Sequence, residues 1–211
     1  GLEKGLAREA KLFGSLVGTP QCKNLIRVFF LQEKLKKKTV GDPAALPMTK
    51  AAVIGAGVMG AGITYVLAKA GLSVRLKDID WMALAKGRGS IGKSMKRLDP
   101  KMSRELLQRV SLTTDYSGFR NTDVVIEAAP EILDLKKKLL GELVQHTSDR
   151  VIVATNTSSL SVDAMAGSLP HPENVIGMHF FNPVEKMPLV EVIVGEKTAA
   201  SLLKQFGSLT R

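Results

Sequence analysis

At 211 residues and 22.7 kDa, with 45% hydrophobic and 24% charged residues, the chain suits one sizeable domain plus an appendage and is neither disordered nor fibrous. A single cysteine, Cys22, excludes an internal disulfide framework and any multi-cysteine metal site, and fits a reducing compartment. The net charge of +10 is concentrated: residues 1–50 and residues 75–109 each carry 10 basic against 4 acidic side chains, which points to local anion contacts rather than a nucleic-acid coat, while 5% aromatic residues leave little for base stacking.

Gly1-Leu2-Glu3-Lys4 is charged early and precedes no long apolar core, so no signal peptide is expected in these residues. Across residues 1–38, Leu12, Leu16, Leu25, Ile26, Phe29, Phe30 and Leu35 have helical spacing, and Gly14, Gly18 and Pro20 break the run into two helices. Lys36, Lys37 and Lys38 end the second helix, where positive charge suits the dipole. Residues 41–47, with two prolines and no periodicity, read as a linker, and the main domain begins at about Met48.

Eighteen uncharged residues run from Ala51 to Ala68, the length of a membrane span. Gly55, Gly57, Gly60 and Gly62 divide the run into strand, turn and helix instead, and no stable membrane insertion is expected. The predicted strands are Ala51–Gly55, Ser73–Lys77, Val110–Thr113, Asp123–Ala128, Val151–Ala154, Val175–Met178 and Leu189–Val194. Helices are expected over Val58–Ala70, 81–97, 101–109 and Ile132–Gln145. Strand–helix alternation with near-continuous β-branched runs predicts an α/β fold with a Rossmann-type, doubly wound and mainly parallel sheet, preceded by a helical linker segment.

Gly55-Ala56-Gly57-Val58-Met59-Gly60 fits G-x-G-x-x-G between an apolar strand and an apolar helix. The first glycine permits the turn, the second admits a pyrophosphate to the backbone, and the third lets helix and strand pack closely. Asp78 closes the second strand 23 residues after Gly55, where a carboxylate binds ribose hydroxyls and repels a 2′-phosphate, favouring NAD over NADP. Arg75 and Lys77 precede Asp78 and are poorly placed to reverse that preference.

Ligands of such sheets bind beyond the carboxyl ends of the strands. Thr155-Asn156-Thr157-Ser158-Ser159 and His179-Phe180-Phe181-Asn182-Pro183 follow two of them, and Glu191 interrupts the apolar run Leu189-Val190-Glu191-Val192-Ile193. A carboxylate buried in such a strand requires a partner, and His179 is the most economical one. The pair would orient the imidazole as a base for a hydroxyl proton while hydride leaves to a nicotinamide. His146 and His171 read as structural, the scattered histidines have no metal-ligand spacing, and Ser158 has no nucleophile elbow.

Residues 50–195 resemble the NAD-binding domain of L-3-hydroxyacyl-CoA dehydrogenases, through GAGVMGAGI, Lys77-Asp78, VIEAAPEILDLK, ATNTSSL and VIGMHFFNPVEKMPLVEVI. The resemblance implies NAD-dependent oxidation of (S)-3-hydroxyacyl-CoA to 3-oxoacyl-CoA in fatty-acid β-oxidation, with His179 as base, Glu191 as its partner, and Ser158 and Asn182 beside the reacting oxygen. It implies that Gly55, Gly57, Val58, Met59, Gly60, Asp78, Ala129, Glu131, Lys136 and Ser158 line the NAD site, with Ser94 and Lys101 near coenzyme A.

Residues 1–47 are similar to the helices that follow the enoyl-CoA hydratase domain in the multifunctional fatty-acid oxidation α-subunit, through Phe13-Gly14-x-Leu16, Thr19-Pro20 and the lysine-ended helix. That likeness implies a multienzyme complex with a thiolase subunit and a bacterial cytoplasmic setting, with the mitochondrial matrix as the alternative. It also implies that 48–195 form the dinucleotide domain and that 196–211 begin a connection to a C-terminal helical domain. A fragment of this extent is expected to fold and bind NAD but to turn over slowly or not at all. Two other readings stay open: a β-hydroxyacid dehydrogenase-type oxidoreductase, and a catalytically silent nucleotide-binding module.

Overall fold

The computed structural model describes residues 1–37, 48–96 and 98–202, so the expected linker at 41–47 and most of the 196–211 segment lie outside the described residues. Helices α1 (Leu2–Val17) and α2 (Pro20–Lys37) come first. Gly14 sits inside α1, and the break falls at Gly18–Thr19, where the Thr19 hydroxyl accepts the Cys22 amide at 3.2 Å and starts α2. α1 buries none of its residues, and Leu12, Phe13 and Leu16 stay exposed.

The remaining elements, in order, are β1 (Lys50–Ile54), α3 (Val58–Lys69), β2 (Ser73–Lys77), α4 (Trp81–Ser94), α5 (Pro100–Gln108), β3 (Val110–Thr113), β4 (Val124–Glu127), α6 (Leu133–Leu143), β5 (Ile152–Thr155), α7 (Val162–Ala166), β6 (Val175–Phe180) and β7 (Val190–Ile193). Among the described residues, seven strands form one sheet in the order β3-β2-β1-β4-β5-β6-β7. All neighbours are parallel except β6 and β7, which are antiparallel. The strand order reverses between β1 and β4, the topological switch point at which doubly wound sheets open a crevice.

Alternate residues of the strands feed two cores. Ala51, Val53, Leu76 and Ile126 pack with Ile63, Leu84 and Ile91 of α3 and α4, while Ala52, Ile54, Val125 and Val153 pack with Leu140, Leu143 and Met165 of α6 and α7. The central strands are therefore covered on both faces, which is why they read as unbroken apolar runs. Helix starts follow local chemistry: the Asp80 carboxylate accepts the Ala83 amide to begin α4, and that of Asp99 accepts the Lys101 amide ahead of Pro100 in α5.

Two expectations about the last strands need correction. β6 runs on to Phe180, so His179 lies within the strand rather than beyond it. β7 is an edge strand in which Glu191, Val192 and Ile193 are exposed, so Glu191 is not the buried carboxylate inferred from its apolar neighbours. An edge strand packs on one side, and the same apolar sequence suits either position.

Candidate functional site

Because β1, β2, β4, β5 and β6 are parallel, the segments after them leave the sheet along one edge. Hydrogen bonds join these segments in strand order. The Asp78 carboxylate, beyond β2, accepts the Ala56 amide at 2.6 Å and also the Ile79 amide at 2.6 Å. Asp78 thereby holds the glycine turn after β1 in place. Arg75 donates to the Ser117 carbonyl and the Lys77 ammonium lies 4.6 Å from the Tyr116 ring, so both cations are engaged with the segment after β3.

The turn itself is close-packed where helix meets strand and open in front. A Cβ on Gly60 would lie 1.7 Å from the Gly55 carbonyl oxygen, and Gly55 has φ +99 with the Ala128 carbonyl against it. A Cβ on Gly57 would meet nothing within 4 Å. Gly57 is the N-cap of α3 with no side-chain cap and no acid in the first turn, so the helix amides are available to an anion. These features fit the pyrophosphate of a dinucleotide. Val58 is 71% exposed beside the turn, and Met59 is half-buried.

Across the switch point, the segment after β4 carries a network of charges. Glu127, the last residue of β4, is fully buried, and its oxygens accept the Lys136 ammonium at 2.8 and 2.9 Å, the Ala129 amide at 2.6 Å and the Thr155 hydroxyl at 2.7 Å. Lys136 is itself buried; its ammonium also donates to the Ala129 carbonyl at 3.2 Å and lies 3.3 Å from Glu131. Lys136 therefore sits beneath the site and reaches it through Glu131. Glu131, partly exposed, accepts the Thr157 hydroxyl at 2.6 Å, the Ser158 amide at 2.8 Å and the Ser158 hydroxyl at 3.3 Å. Burial pushes the Glu131 carboxyl up, but bonds from Thr157 and Ser158 and the Lys136 charge outweigh it and hold the group below its ordinary value.

Further along the edge, the Asn156 side-chain oxygen accepts the Phe180 amide at 2.9 Å, tying the segment after β5 to β6. His179 then faces Glu191 in the β6–β7 register, with Nδ1 2.9 Å from Oε2. The imidazole is 20% exposed and packs on Phe181 at 4.7 Å between ring centroids. Asn182 is exposed just beyond β6. Three inter-strand steps separate β1 from β6, which places His179 roughly 14 Å along the edge from the glycine turn.

Ser94 and Lys101 lie apart from this edge arrangement, flanking the turn between α4 and α5. Ser94 is half-buried and donates back to the Ser90 carbonyl at 3.4 Å, and Lys101 is exposed. Sequence reasoning missed Glu127, Thr155 and the Asn156 tie. A carboxylate closing the all-apolar run Val124-Val125-Ile126, with Lys136 nine residues on, was the signal available for the first.

No helix among the described residues is long and apolar enough to cross a membrane. The chain is 41% identical over 210 residues to a fatty acid oxidation complex subunit alpha of Shewanella amazonensis, covering 94% of this chain and 29% of that protein. It is 40% identical over 222 residues to the same subunit of Idiomarina loihiensis, covering all of this chain and 31% of the relative. The chain thus spans less than a third of the length of these curated relatives.

Among solved structures, it resembles the (S)-3-hydroxybutyryl-CoA dehydrogenase of Ralstonia eutropha with TM-score 0.75 and 37% identity, over 77% of this chain and 60% of that one. The 3-hydroxybutyryl-CoA dehydrogenase of Escherichia coli K12 gives TM-score 0.73 and 39% identity, over 78% of this chain and 36% of that one. The family model of the 3-hydroxyacyl-CoA dehydrogenase NAD-binding domain matches residues 50–211, and the chain belongs to that family.

Proposed function

We propose that this chain carries the cofactor-binding half of an (S)-3-hydroxyacyl-CoA dehydrogenase that converts the 3-hydroxyl to a ketone, giving 3-oxoacyl-CoA. The observation that carries this reading is the 2.9 Å contact between His179 Nδ1 and Glu191 Oε2, on the sheet edge that also bears the glycine turn. A carboxylate has no proton to give, so Nδ1 donates and the Nε2 lone pair is left to act as base.

NAD, when bound, supplies the acceptor for the hydride that leaves C3. His179 Nε2 takes the hydroxyl proton as the C–O bond becomes C=O, and Glu191 stabilises the imidazolium that results. Ser158 and Asn182 hydrogen-bond the reacting oxygen and the nicotinamide end. Gly55, Gly57, Val58, Met59 and Gly60 accommodate the pyrophosphate, Asp78 takes the ribose, and Ala129 and Glu131 line the crevice with Lys136 behind them. The exposed cations Lys86, Arg88, Lys93, Lys101 and Arg104 on α4 and α5, with Lys96 between the two helices, suit the phosphates of coenzyme A, with Ser94 beside them. The relatives are named as alpha subunits of a fatty acid oxidation complex, which supports a place in such a complex; action on acyl-CoA, a thiolase partner subunit and a bacterial cytoplasmic setting are part of the proposal.

The test is NADH consumption with acetoacetyl-CoA, with protein in excess over NADH so that one slow turnover is visible. His179→Ala is expected to slow the step by about 10² to 10⁴ while leaving NADH affinity within about twofold. Equal rates in the two forms remove His179 as base, and a full-length parent that binds NADH yet never oxidises hydroxyacyl-CoA favours the silent nucleotide-binding alternative.

A further inference from the structure

We infer that Glu127 is a positioning residue for the nicotinamide end of the cofactor, acting through Lys136 and Glu131 on Ser158; the inference rests on the placement of Ser158 in the proposed site. Glu127 is remote from any ligand, since its side chain is fully buried at the end of β4. Its influence runs outward by charge. Both of its oxygens hold the Lys136 ammonium, at 2.8 and 2.9 Å, and this fixes a buried cation whose remaining contacts are the Ala129 carbonyl at 3.2 Å and Glu131 at 3.3 Å.

Glu131 uses its other oxygen to hold Thr157 and both the amide and the hydroxyl of Ser158. The sequence of charges from the interior to the crevice is therefore minus, plus, minus, ending on a serine hydroxyl. Thr155, which donates to Glu127 at 2.7 Å, lies two residues before Thr157 on the same strand end, so the pair is anchored on both sides of the β4–β5 boundary.

Buried ion pairs of this type hold geometry more than they add stability, because each charge is costly to bury without its partner. An acid at position 127 fixes the point at which Lys136 emerges beneath Glu131. A neutral amide of the same shape keeps an oxygen for the Ala129 amide but gives up the charge that holds the ammonium. The turn after β4 then stays in place while Glu131 loses its fixed counter-ion and Ser158 the fixed position of its acceptor.

The experiment compares NADH with ADP-ribose, which carries the adenosine and both phosphates but no nicotinamide, by titration well below the unfolding transition. Glu127→Gln is expected to weaken NADH about tenfold, the size of one lost charge-assisted hydrogen bond, and ADP-ribose by less than about twofold. Should that variant fail to fold, Glu127→Gln combined with Lys136→Met leaves the interior neutral, and it is expected to show about the same tenfold loss rather than a hundredfold one, because the two residues act along one path. Unchanged NADH affinity, or equal losses for both ligands, overturns the inference, since a merely structural role would loosen the whole crevice. Glu131→Gln separates the role of Glu127 from the placement of Ser158. If it shows the selective loss of NADH and the Glu127 variants do not, the role of Glu127 fails alone; if Glu131→Gln has no effect, the placement of Ser158 fails and takes this inference with it.

Discussion

His179 and Glu191, twelve residues apart in the chain, stand directly opposite each other on antiparallel strands, and their side chains meet at 2.9 Å. The register alone brings their Cα atoms together, so the contact needs no loop to fold over it. Opposed residues on one face of an antiparallel pair hold their side chains within reach. Glu191 is 54% exposed, so the pair owes its geometry to strand pairing rather than to desolvation.

Removing the carboxylate is expected to disturb orientation without disturbing the cofactor. Glu191→Ala should slow single-turnover acetoacetyl-CoA reduction by about 10- to 100-fold and leave NADH affinity unchanged. The double variant with His179→Ala should be no slower than His179→Ala, since Glu191 acts only through the ring. Additive losses would show that Glu191 has a separate role.

The two glycines at the start of α3 should fail in opposite ways. Gly60→Ala places a Cβ against the Gly55 carbonyl oxygen, at 1.7 Å before relaxation, and that oxygen belongs to backbone that cannot swing aside. A cost of about 1–3 kcal/mol or more follows, visible as a lower Tm whatever the ligand. At Gly57, φ −66 and ψ −169 suit any residue and the added methyl meets nothing within 4 Å. Gly57→Ala should therefore leave Tm within a degree or two, the effect of roughly 0.5 kcal/mol, and weaken NADH by obstructing the approach to the helix amides. A Gly57→Ala protein with normal NADH affinity would show that the pyrophosphate lies elsewhere.

The fold was legible because the central strands are covered on both faces: Ala51–Ile54, Val124–Ile126 and Ile152–Ala154 announce themselves as apolar runs, and the glycine turn marks where the first meets its helix. The short α7 was not legible, since five residues starting at the Ser161 cap complete little more than one turn and show no period. The exposure of β7 was misread for a related reason: Leu189-Val190-Glu191-Val192-Ile193 has the composition of a central strand and the position of an edge. The His179–Glu191 pairing could be inferred from chemistry, because a histidine at a strand end and an acid in an apolar strand each want a partner. The Glu127 network could not be assembled the same way, as its members are drawn from β4, α6 and β5 and become neighbours only through strand order.

Asp78 holds the turn through the Ala56 amide and is also placed to read the ribose, and two substitutions separate these tasks. Asp78→Asn keeps one oxygen for the Ala56 amide, gives up the acceptor for the Ile79 amide and removes the negative charge. It should lower Tm less than Asp78→Ala does and narrow the preference for NADH over NADPH, because the repulsion of a 2′-phosphate is lost. Asp78→Ala should do both, lowering Tm and weakening both cofactors, as a charge-assisted bond of roughly 1.5–3 kcal/mol disappears. The ratio of NADH to NADPH dissociation constants decides the matter: a ratio unchanged in Asp78→Asn would remove Asp78 from cofactor selection.

Acid should release the segment that carries Ser158. The Glu131 carboxyl is held below its ordinary 4.5 in the folded chain, because bonds from Thr157 and Ser158 and the charge of Lys136 outweigh burial. Folding therefore favours the ionised form, and the resulting stabilisation is complete above the unfolded-state value and fades as the pH falls through the lower folded value. The difference in Tm between the unaltered chain and Glu131→Gln should be constant above about pH 6 and shrink below about pH 4.5, where the wild-type group takes up its proton and comes to resemble the amide. NADH affinity should follow the same course, since protonation frees Ser158 from its acceptor. A Tm difference that is independent of pH, or that grows on acidification, would mean that the carboxylate is not what holds Thr157 and Ser158 in place.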